Sequence, residues 1–286
     1  MPPAPTYPLV RVECSPDDVD AMIGRLTLLG ADGIEERDAT TLARPGAHGA
    51  TLLASFATRD EAERAVDELA PHAHHEELVG DAWRDAWKDH WRPTPLCAGI
   101  VVVPSWIEHA PAPGERVLRL DPGRAFGTGQ HASTTLAADA MAHAIAGAVP
   151  DRVIDVGTGS GVLAFAAVLL GVREVIACDL DPDAVTAANE NRESLGLTDA
   201  VEFRVGSVEC IPEDAPLVLA NIEAGVLIPM ASALAARVRP GGALVLSGVL
   251  ATQERAVVEA YRAHGLAFVA AAERQGWIAP TFERPR

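Results

Sequence analysis

One stretch decides the fold: Val153-Ile-Asp-Val-Gly-Thr-Gly-Ser-Gly161. Its first residues predict a buried strand, its alternating glycines a tight turn, and the apolar residues after Gly161 a helix. Glycine lacks a Cβ, so the backbone of such a turn can approach a ligand closely. A dinucleotide site needs the spacing G-x-G-x-x-G, and Val162 stands where its last glycine would be. The observed spacing favours a cofactor that brings a carboxylate and an amine to the turn, rather than a diphosphate.

Two polar residues stand at the ends of other predicted strands. Asp179 lies 22 residues beyond Gly157, at a strand end where a carboxylate can accept the hydroxyl groups of an adenosine ribose. Asn221 ends a later apolar run. Turn or capping chemistry could explain either residue alone. Because the carboxyl ends of parallel strands meet at one edge of a sheet, the turn and both side chains together predict a ligand site.

The chain after about residue 100 alternates strands with helices, which is typical of a mostly parallel, doubly wound α/β sheet. The predicted core strands cover residues 152–155, 174–179, 217–221 and 243–247. The predicted helices cover about 161–170, 182–195, 224–237 and 252–264.

The beginning of the chain predicts a separate small module. Strands at 7–14, 34–39, 50–57 and 76–79 alternate with a helix that ends near residue 29 and another that Thr58 and Glu61 open. This β-α-β-β-α-β series is that of a ferredoxin-like α+β domain.

A connector follows the small module. Trp83, Trp87 and Trp91 recur every four residues and share one helical face, and Pro93 and Pro95 end the helix. We therefore predict a small domain at 1–78, a helical linker at 79–95 and a larger domain at 96–286.

The chain is acidic along its whole length. It has 23 basic and 40 acidic side chains and a net charge of −17, to which residues 1–92 contribute −9 and residues 93–286 contribute −8. Nucleic acids and anionic membranes bind through clustered Lys and Arg, so we expect neither as a direct partner. A cationic partner fits this charge better.

Cysteine spacing and hydropathy suggest a cytoplasmic protein without a metal site. The four cysteines lie far apart, without the close pairs that zinc and redox sites use. The N-terminus has no positively charged start and no apolar core of a secretory signal. No uncharged run reaches the ~18 residues that a membrane helix needs.

A second glycine-rich segment precedes the first: Asp121-Pro-Gly-Arg-Ala-Phe-Gly-Thr-Gly-Gln-His-Ala-Ser-Thr-Thr135. It lacks apolar periodicity and leads into a helix for which Ser133 or Thr134 is the expected N-cap. A segment of this length beside a ligand-binding turn is typical of a functional loop. Phe126 and His131 are therefore candidate site residues.

Through these segments, the chain resembles the family of ribosomal protein methyltransferases that act on large-subunit ribosomal protein eleven (L11). The resemblance is carried by Leu120-Asp-Pro-Gly-Arg-Ala-Phe-Gly-Thr-Gly-Gln-His131, Asp155-Val-Gly-Thr-Gly-Ser-Gly-Val-Leu-Ala164, Asp179-Leu-Asp-Pro182, Ala220-Asn-Ile222, Trp87-Lys-Asp-His-Trp-Arg-Pro93 and Gly276-Trp277. It spans most of the chain, and the Phe-Gly-Thr-Gly loop is its most specific motif. Glu223 departs from the family, which usually has an apolar residue at that position.

The resemblance implies a class I methyltransferase domain with a Rossmann-like, seven-stranded doubly wound sheet, preceded by a substrate-recruiting domain. It implies S-adenosylmethionine as cofactor, held by Thr134, Gly157, Asp179 and Asn221, and the turn itself adds Gly159. It also implies methylation of lysine side chains of L11, with the α-amino group as a second target and Asn221 at the reacting centre. With that chemistry, Phe126 is a candidate cofactor contact and His131 a candidate proton relay. We expect a monomer.

Other functions stay open at this point. The same chemistry could serve another protein lysine or a small amine. An oxidoreductase that uses a dinucleotide is disfavoured by Val162 and by the Phe-Gly-Thr-Gly loop. A non-catalytic module that keeps the cofactor pocket is a further alternative.

Overall fold

The structure, a computed structural model, describes residues 6–15, 18–31, 33–37, 50–79, 92–121 and 131–286. Contacts within the chain divide it into two compact units, Met1–Trp91 and Arg92–Arg286. The predicted tryptophan face of the connector lies outside the described residues, so the linker at 79–95 stays a prediction.

The smaller unit is a four-stranded antiparallel sheet with two helices. Its elements are β1 (Thr6–Cys14), α1 (Val19–Leu28), β2 (Gly33–Arg37), β3 (Ala50–Ser55), α2 (Arg59–Leu69) and β4 (Ala73–Val79). The strands pair in the order β2-β3-β1-β4. This is the predicted β-α-β-β-α-β series, and its classification as ferredoxin-like stays a prediction.

Helix α2 shows why the sequence signal at its start was reliable. The Thr58 hydroxyl accepts the Glu61 N–H at 3.3 Å, and the Glu61 carboxylate accepts the Thr58 N–H at 3.1 Å. This capping box satisfies backbone groups at the helix start that would otherwise lack partners. The buried face of the helix, Ala62, Ala65 and Leu69, then packs in the core of the unit.

The larger unit contains eleven strands in two sheets, and six α-helices, within the described residues. Its strands are β5 (Thr94–Cys97), β6 (Ile100–Val103), β7 (Arg116–Arg119), β8 (Arg152–Val156), β9 (Glu174–Asp179), β10 (Val201–Val205), β11 (Ala215–Asn221), β12 (Val238–Ser247), β13 (Val249–Leu250), β14 (Ala267–Arg274) and β15 (Trp277–Glu283). Its helices are α3 (Ala132–Gly147), α4 (Val162–Leu169), α5 (Pro182–Ser194), α6 (Ala224–Leu227), α7 (Ala231–Arg237) and α8 (Glu254–Arg262).

The main sheet has the order β10-β9-β8-β11-β12-β15-β13, and β14 pairs with β15. Its first five strands are parallel, and β15 runs antiparallel to its neighbours. Alternate residues of β8 enter two separate cores: Val153 packs with α3 and α4, whereas Ile154 packs with α7 and α8. Burial on both faces explains why these strands are continuous apolar runs, and it confirms the predicted doubly wound class.

The sheet contains the seven predicted strands, β8–β12, β14 and β15, and the two residues of β13, after Gly248, pair with β15 as an eighth. One detail of the prediction was wrong. The predicted helix at 224–237 is two helices, because Pro229 between them has no backbone N–H with which to continue the helical hydrogen bonds. The small sheet β5-β6-β7 was not predicted.

The parallel strands bring the glycine turn after β8, Asp179 and Asn221 to one edge of the main sheet. That edge is where open α/β sheets hold their ligands. Separately, no helix in the described part of the chain is long and apolar enough to cross a membrane.

Candidate active site

A cavity of about 400 Å³ lies at the carboxyl edge of the main sheet. The residues that line it are His131, Ser133, Val156, Gly157, Thr158, Gly159, Val162, Leu163, Asp179, Leu180, Gly206, Ser207, Asn221, Ile222, Glu223, Val226, Met230, Gly248 and Trp277. Five predicted site residues therefore meet in one cavity: Gly157, Gly159, Asp179, Asn221 and His131. Phe126 lies outside the described residues, so its contact with a cofactor stays a prediction.

The glycine turn is held against the neighbouring strand by its own backbone. The N–H groups of Gly157 and Thr158 both donate to the carbonyl oxygen of Cys178, at 2.9 and 3.0 Å. Gly157 has a φ of +71°, and a Cβ there would lie 2.7 Å from the Ile222 side chain. Glycine at 157 is therefore required by both the backbone conformation and the packing.

Asp179 holds the second glycine of the turn, Gly159, in place. Its Oδ2 accepts the N–H of Gly159 at 2.8 Å, and its Oδ1 accepts the N–H of Asp181 at 3.0 Å. A carboxylate has about four acceptor positions, so each oxygen keeps capacity for a ligand hydroxyl. The half-buried Asp179 carboxylate is thus oriented by the protein and still available to the cavity.

A second carboxyl group lies below the turn, fully within the protein. Asp155 is 1% exposed and accepts the Thr158 hydroxyl at 2.7 Å. Burial, together with the nearby charge of Asp179, raises the pKa of Asp155 to about 7, against the lowering effect of the Thr158 hydrogen bond. Asp155 therefore supports the turn from beneath, and it is not among the residues that line the cavity.

Asn221 and Thr134 contact each other, but only Asn221 lines the cavity. The Asn221 Nδ2 donates to the Thr134 hydroxyl oxygen at 3.3 Å, and Thr134 is 0% exposed. The Asn221 Oδ1 is buried and has no hydrogen-bond partner among the described residues. Thr134 orients Asn221 from behind, and its predicted direct contact with a cofactor stays a prediction.

His131 is the N-cap of α3, a position expected for Ser133 or Thr134. Its Nδ1 accepts the Ser133 N–H at 3.3 Å and lies 2.7 Å from the Ser133 hydroxyl oxygen. The ring also packs edge-on against Trp277, with centroids 4.9 Å apart. An imidazole whose Nδ1 accepts carries its proton on Nε2 when neutral. The structure therefore gives His131 a capping role, and its role as proton relay stays a prediction.

The charges around the cavity are negative and its outer wall is apolar. Asp179 and the exposed Glu223 supply carboxylates, and none of the described lining residues is a lysine or arginine. Ile222, Val226 and Met230 form an apolar wall beside Asn221. Such a cavity favours a cationic ligand.

Sequence reasoning missed part of this site. Gly206 and Ser207 follow β10 and line the cavity, but β10 was not predicted, because charged residues interrupt its apolar pattern. Trp277 entered only through the resemblance, and its place beside His131 depends on the antiparallel strand β15. Among the described residues, no group of three or more His, Cys, Asp or Glu side chains could hold a metal ion.

Comparisons with known proteins agree with this geometry. The family model "Ribosomal protein L11 methyltransferase" matches residues 6–285. A ribosomal protein L11 methyltransferase of Sorangium cellulosum is 43% identical over 264 residues, which are 90% of this chain and 83% of that protein. The Geobacter sulfurreducens protein of the same name is 41% identical over 271 residues, which are 93% of this chain and 89% of that protein.

A solved structure is also similar. The crystal structure of the ribosomal protein L11 methylase of Lactobacillus delbrueckii subsp. bulgaricus superposes with a TM-score of 0.62 at 30% identity, covering 68% of this chain and 100% of that chain. The family match over nearly the whole length, the two relatives above 40% identity and the fold point to the same conclusion. The chain belongs to the ribosomal protein L11 methyltransferase family.

Proposed function

We propose that this chain transfers methyl groups from S-adenosylmethionine to amine nitrogens of ribosomal protein L11. The targets are lysine side chains, with the α-amino group as a second candidate. The observation that carries the proposal is that the glycine turn, Asp179 and Asn221 open into one cavity at the carboxyl edge of the sheet. Family membership supplies the protein substrate, because the matching relatives are named for L11.

The residues present fit an adenosyl cofactor that carries an amino acid group. The Asp179 carboxylate is oriented by Gly159 and Asp181 and keeps acceptor capacity for ribose hydroxyls. The absence of a Cβ at Gly157 leaves the turn open to close approach. When bound, S-adenosylmethionine supplies a methyl group on a positively charged sulfonium, which the acidic cavity tolerates.

The target amine must be neutral to attack the methyl carbon. For a lysine with a pKa near 10.4, the neutral form costs roughly 4.6 kcal/mol at pH 7, and for an α-amino group about 1 kcal/mol. The apolar wall of Ile222, Val226 and Met230 removes water from the amine and so favours its neutral form. The carboxylate of Glu223 opposes this effect, because a nearby negative charge raises the pKa of an amine.

Asn221 is the residue placed to orient the amine. Its Oδ1 is buried and has no partner among the described residues, so an amine N–H would satisfy it once the side chain turned that oxygen toward the cavity. With S-adenosylmethionine bound, its methyl group would pass to the lone pair of the neutral nitrogen as the bond from methyl to sulfur broke, and the nitrogen would then release one proton to water. Release to His131 would require its Nδ1 to give up the Ser133 N–H. Positioning of this kind is the main contribution a protein can make to an in-line displacement.

The smaller unit has a core of its own and serves, in this proposal, to recruit the substrate. Its acidic composition attracts a basic protein over a distance of about a Debye length. A ribosomal substrate also implies action in the cytoplasm. Hydrogen exchange of the full-length protein is expected to show protection within residues 6–79 when L11 is added, and unchanged exchange there would reject the recruiting role.

The transfer itself is tested with methyl-labelled S-adenosylmethionine and unmethylated ribosomal proteins. The wild-type protein is expected to label L11, and Asn221→Ala is expected to label it at least ten-fold more slowly. The matched control is Asn189→Ala, because within the described residues the Asn189 side chain donates only to Val185, in its own helix, at 2.8 Å. Label in another protein, with none in L11, would favour the alternative substrate.

A further inference from the structure

A buried asparagine outside the cavity connects the glycine turn to the small sheet. Asn191 lies on α5 and is only 4% exposed. Its Oδ1 accepts the N–H of Asp121 at 3.0 Å, and its Nδ2 donates to the carbonyl oxygen of the same residue at 2.9 Å. The side-chain amide thus pairs with both backbone groups of one residue, as a neighbouring strand would.

The same amide group reaches the glycine turn. The Asn191 Nδ2 also donates to the carbonyl oxygen of Ser160, at 3.3 Å. Ser160 is 0% exposed and lies between Gly159 and Gly161, whose φ angles are +54° and +84°. A turn made of glycines has little intrinsic rigidity, so its conformation depends on the groups that bond to it.

The other end of this connection is fixed as well. The Asp121 carboxylate accepts the Ser105 N–H at 2.8 Å and the Ser105 hydroxyl at 2.7 Å. The preceding residue, Leu120, donates its N–H to the Val103 carbonyl at 3.1 Å. Asp121 is therefore held from both sides, and Asn191 transmits that fixed position to Ser160.

We propose that Asn191 is a positioning residue for the methyl donor. It holds Ser160, and with it the turn Gly157–Gly161, in the geometry that the cofactor needs, while Asp179 holds Gly159 from the other side. This inference rests on the methyl-donor part of the proposed function, and it is independent of the identity of the protein substrate.

The test measures binding of S-adenosylhomocysteine, the demethylated cofactor, by titration calorimetry on full-length protein. Asn191→Ala is expected to weaken binding about ten-fold or more, which corresponds to about 1.4 kcal/mol. Asn191→Asp keeps the size of the side chain but places an oxygen against two carbonyl groups, so it is expected to weaken binding at least as much. Asn189→Ala, on the same helix, is expected to bind like wild type.

Two further readouts separate positioning from simple packing. In the cofactor-free protein, the backbone amides of residues 157–161 are expected to exchange faster in Asn191→Ala than in Asn189→Ala. In steady-state assays, the KM for S-adenosylmethionine is expected to rise about ten-fold, whereas the KM for the protein substrate and kcat at saturating cofactor stay within about two-fold.

The outcomes distinguish this inference from the proposed function. Wild-type protein that binds no S-adenosylhomocysteine overturns both. Normal binding by wild type and by Asn191→Ala, or by Asn191→Asp, overturns the inference alone. Should the alanine variant fail to fold, NMR of the wild type decides: the Asn191 side-chain amide protons are expected to exchange slowly and to shift when S-adenosylhomocysteine binds, and amide protons that do not respond overturn the inference.

Discussion

Alanine substitutions at Gly157 and Gly248, two glycines beside Ile222, should respond differently when the Ile222 side chain is removed. Gly157 and Gly248 have φ angles of +71° and +77°, where an alanine costs about 1–2 kcal/mol. A Cβ at Gly157 would lie 2.7 Å from the Ile222 side chain, and one at Gly248 would lie 2.6 Å from the Ile222 carbonyl oxygen. Overpacking adds about 1–3 kcal/mol, so each alanine substitution is expected to lower the free energy of unfolding by about 2–5 kcal/mol.

The substitution Ile222→Ala separates the two cases. It removes the obstacle to a Cβ at Gly157 but leaves the backbone obstacle at Gly248 in place. In the Ile222→Ala background, Gly157→Ala is therefore expected to cost only about 1–2 kcal/mol, a coupling of about 1–3 kcal/mol. Gly248→Ala is expected to cost the same in both backgrounds within about 0.5 kcal/mol.

Urea unfolding followed by circular dichroism measures both double-mutant cycles. The wild-type protein, the three single variants and the two double variants supply all the free energies required. Similar coupling of both glycines to Ile222, or no coupling at Gly157, would refute the packing that we assign to the glycine turn.

Four further variants test individual groups of the site. Burial raises the pKa of Asp155 from 3.8 to about 7, so between these pH values the folded protein keeps a proton that the unfolded chain releases. The free energy of unfolding of the wild type should therefore fall between about pH 4 and 7, by up to about 4 kcal/mol relative to Asp155→Asn. Wild-type and variant stabilities from urea unfolding that run parallel across this pH range would contradict this. Asp179→Asn should weaken S-adenosylhomocysteine binding at least ten-fold in calorimetry, whereas Asp183→Asn, outside the cavity, should leave it unchanged. Removal of the helix cap in His131→Ala should lower stability by about 1 kcal/mol in urea unfolding, and an unchanged single-turnover rate from about pH 6 to 9 would reject a proton relay at His131. Glu223→Gln should raise the KM for L11 several-fold over wild type at low salt and less at high salt. A ratio of variant to wild-type KM that does not depend on salt would show that Glu223 has no part in attracting the substrate.

The core of the site could be predicted from the sequence because its signals are local. A buried strand that ends in alternating glycines has few alternative structures. This pattern predicted a ligand-binding turn, and Gly157 and Gly159 line the cavity. Asp179 and Asn221 followed from one topological rule, that the ends of parallel strands meet at one edge. The sequence alone therefore predicts that these residues lie close together.

The rest of the site depends on contacts between distant segments. Statistical preference for Ser and Thr at N-caps pointed to Ser133 or Thr134, but the imidazole of His131 provides the acceptor instead. Asn191 gave no signal, because an asparagine within a helical pattern does not reveal that it bonds to Asp121, 70 residues away. The break between Leu227 and Ala231 could be predicted, since Pro229 stands in the sequence and has no N–H for a helical hydrogen bond.

The most direct measurement of the central claim is the intact mass of unmethylated L11 after incubation with S-adenosylmethionine and this protein. We predict that the mass of L11 rises by whole methyl groups with the wild-type protein, and that Asn221→Ala produces the same increase much more slowly although it is folded. An unchanged mass of L11, under conditions in which the wild-type protein binds S-adenosylhomocysteine, would contradict the proposed function while leaving the cofactor site in place.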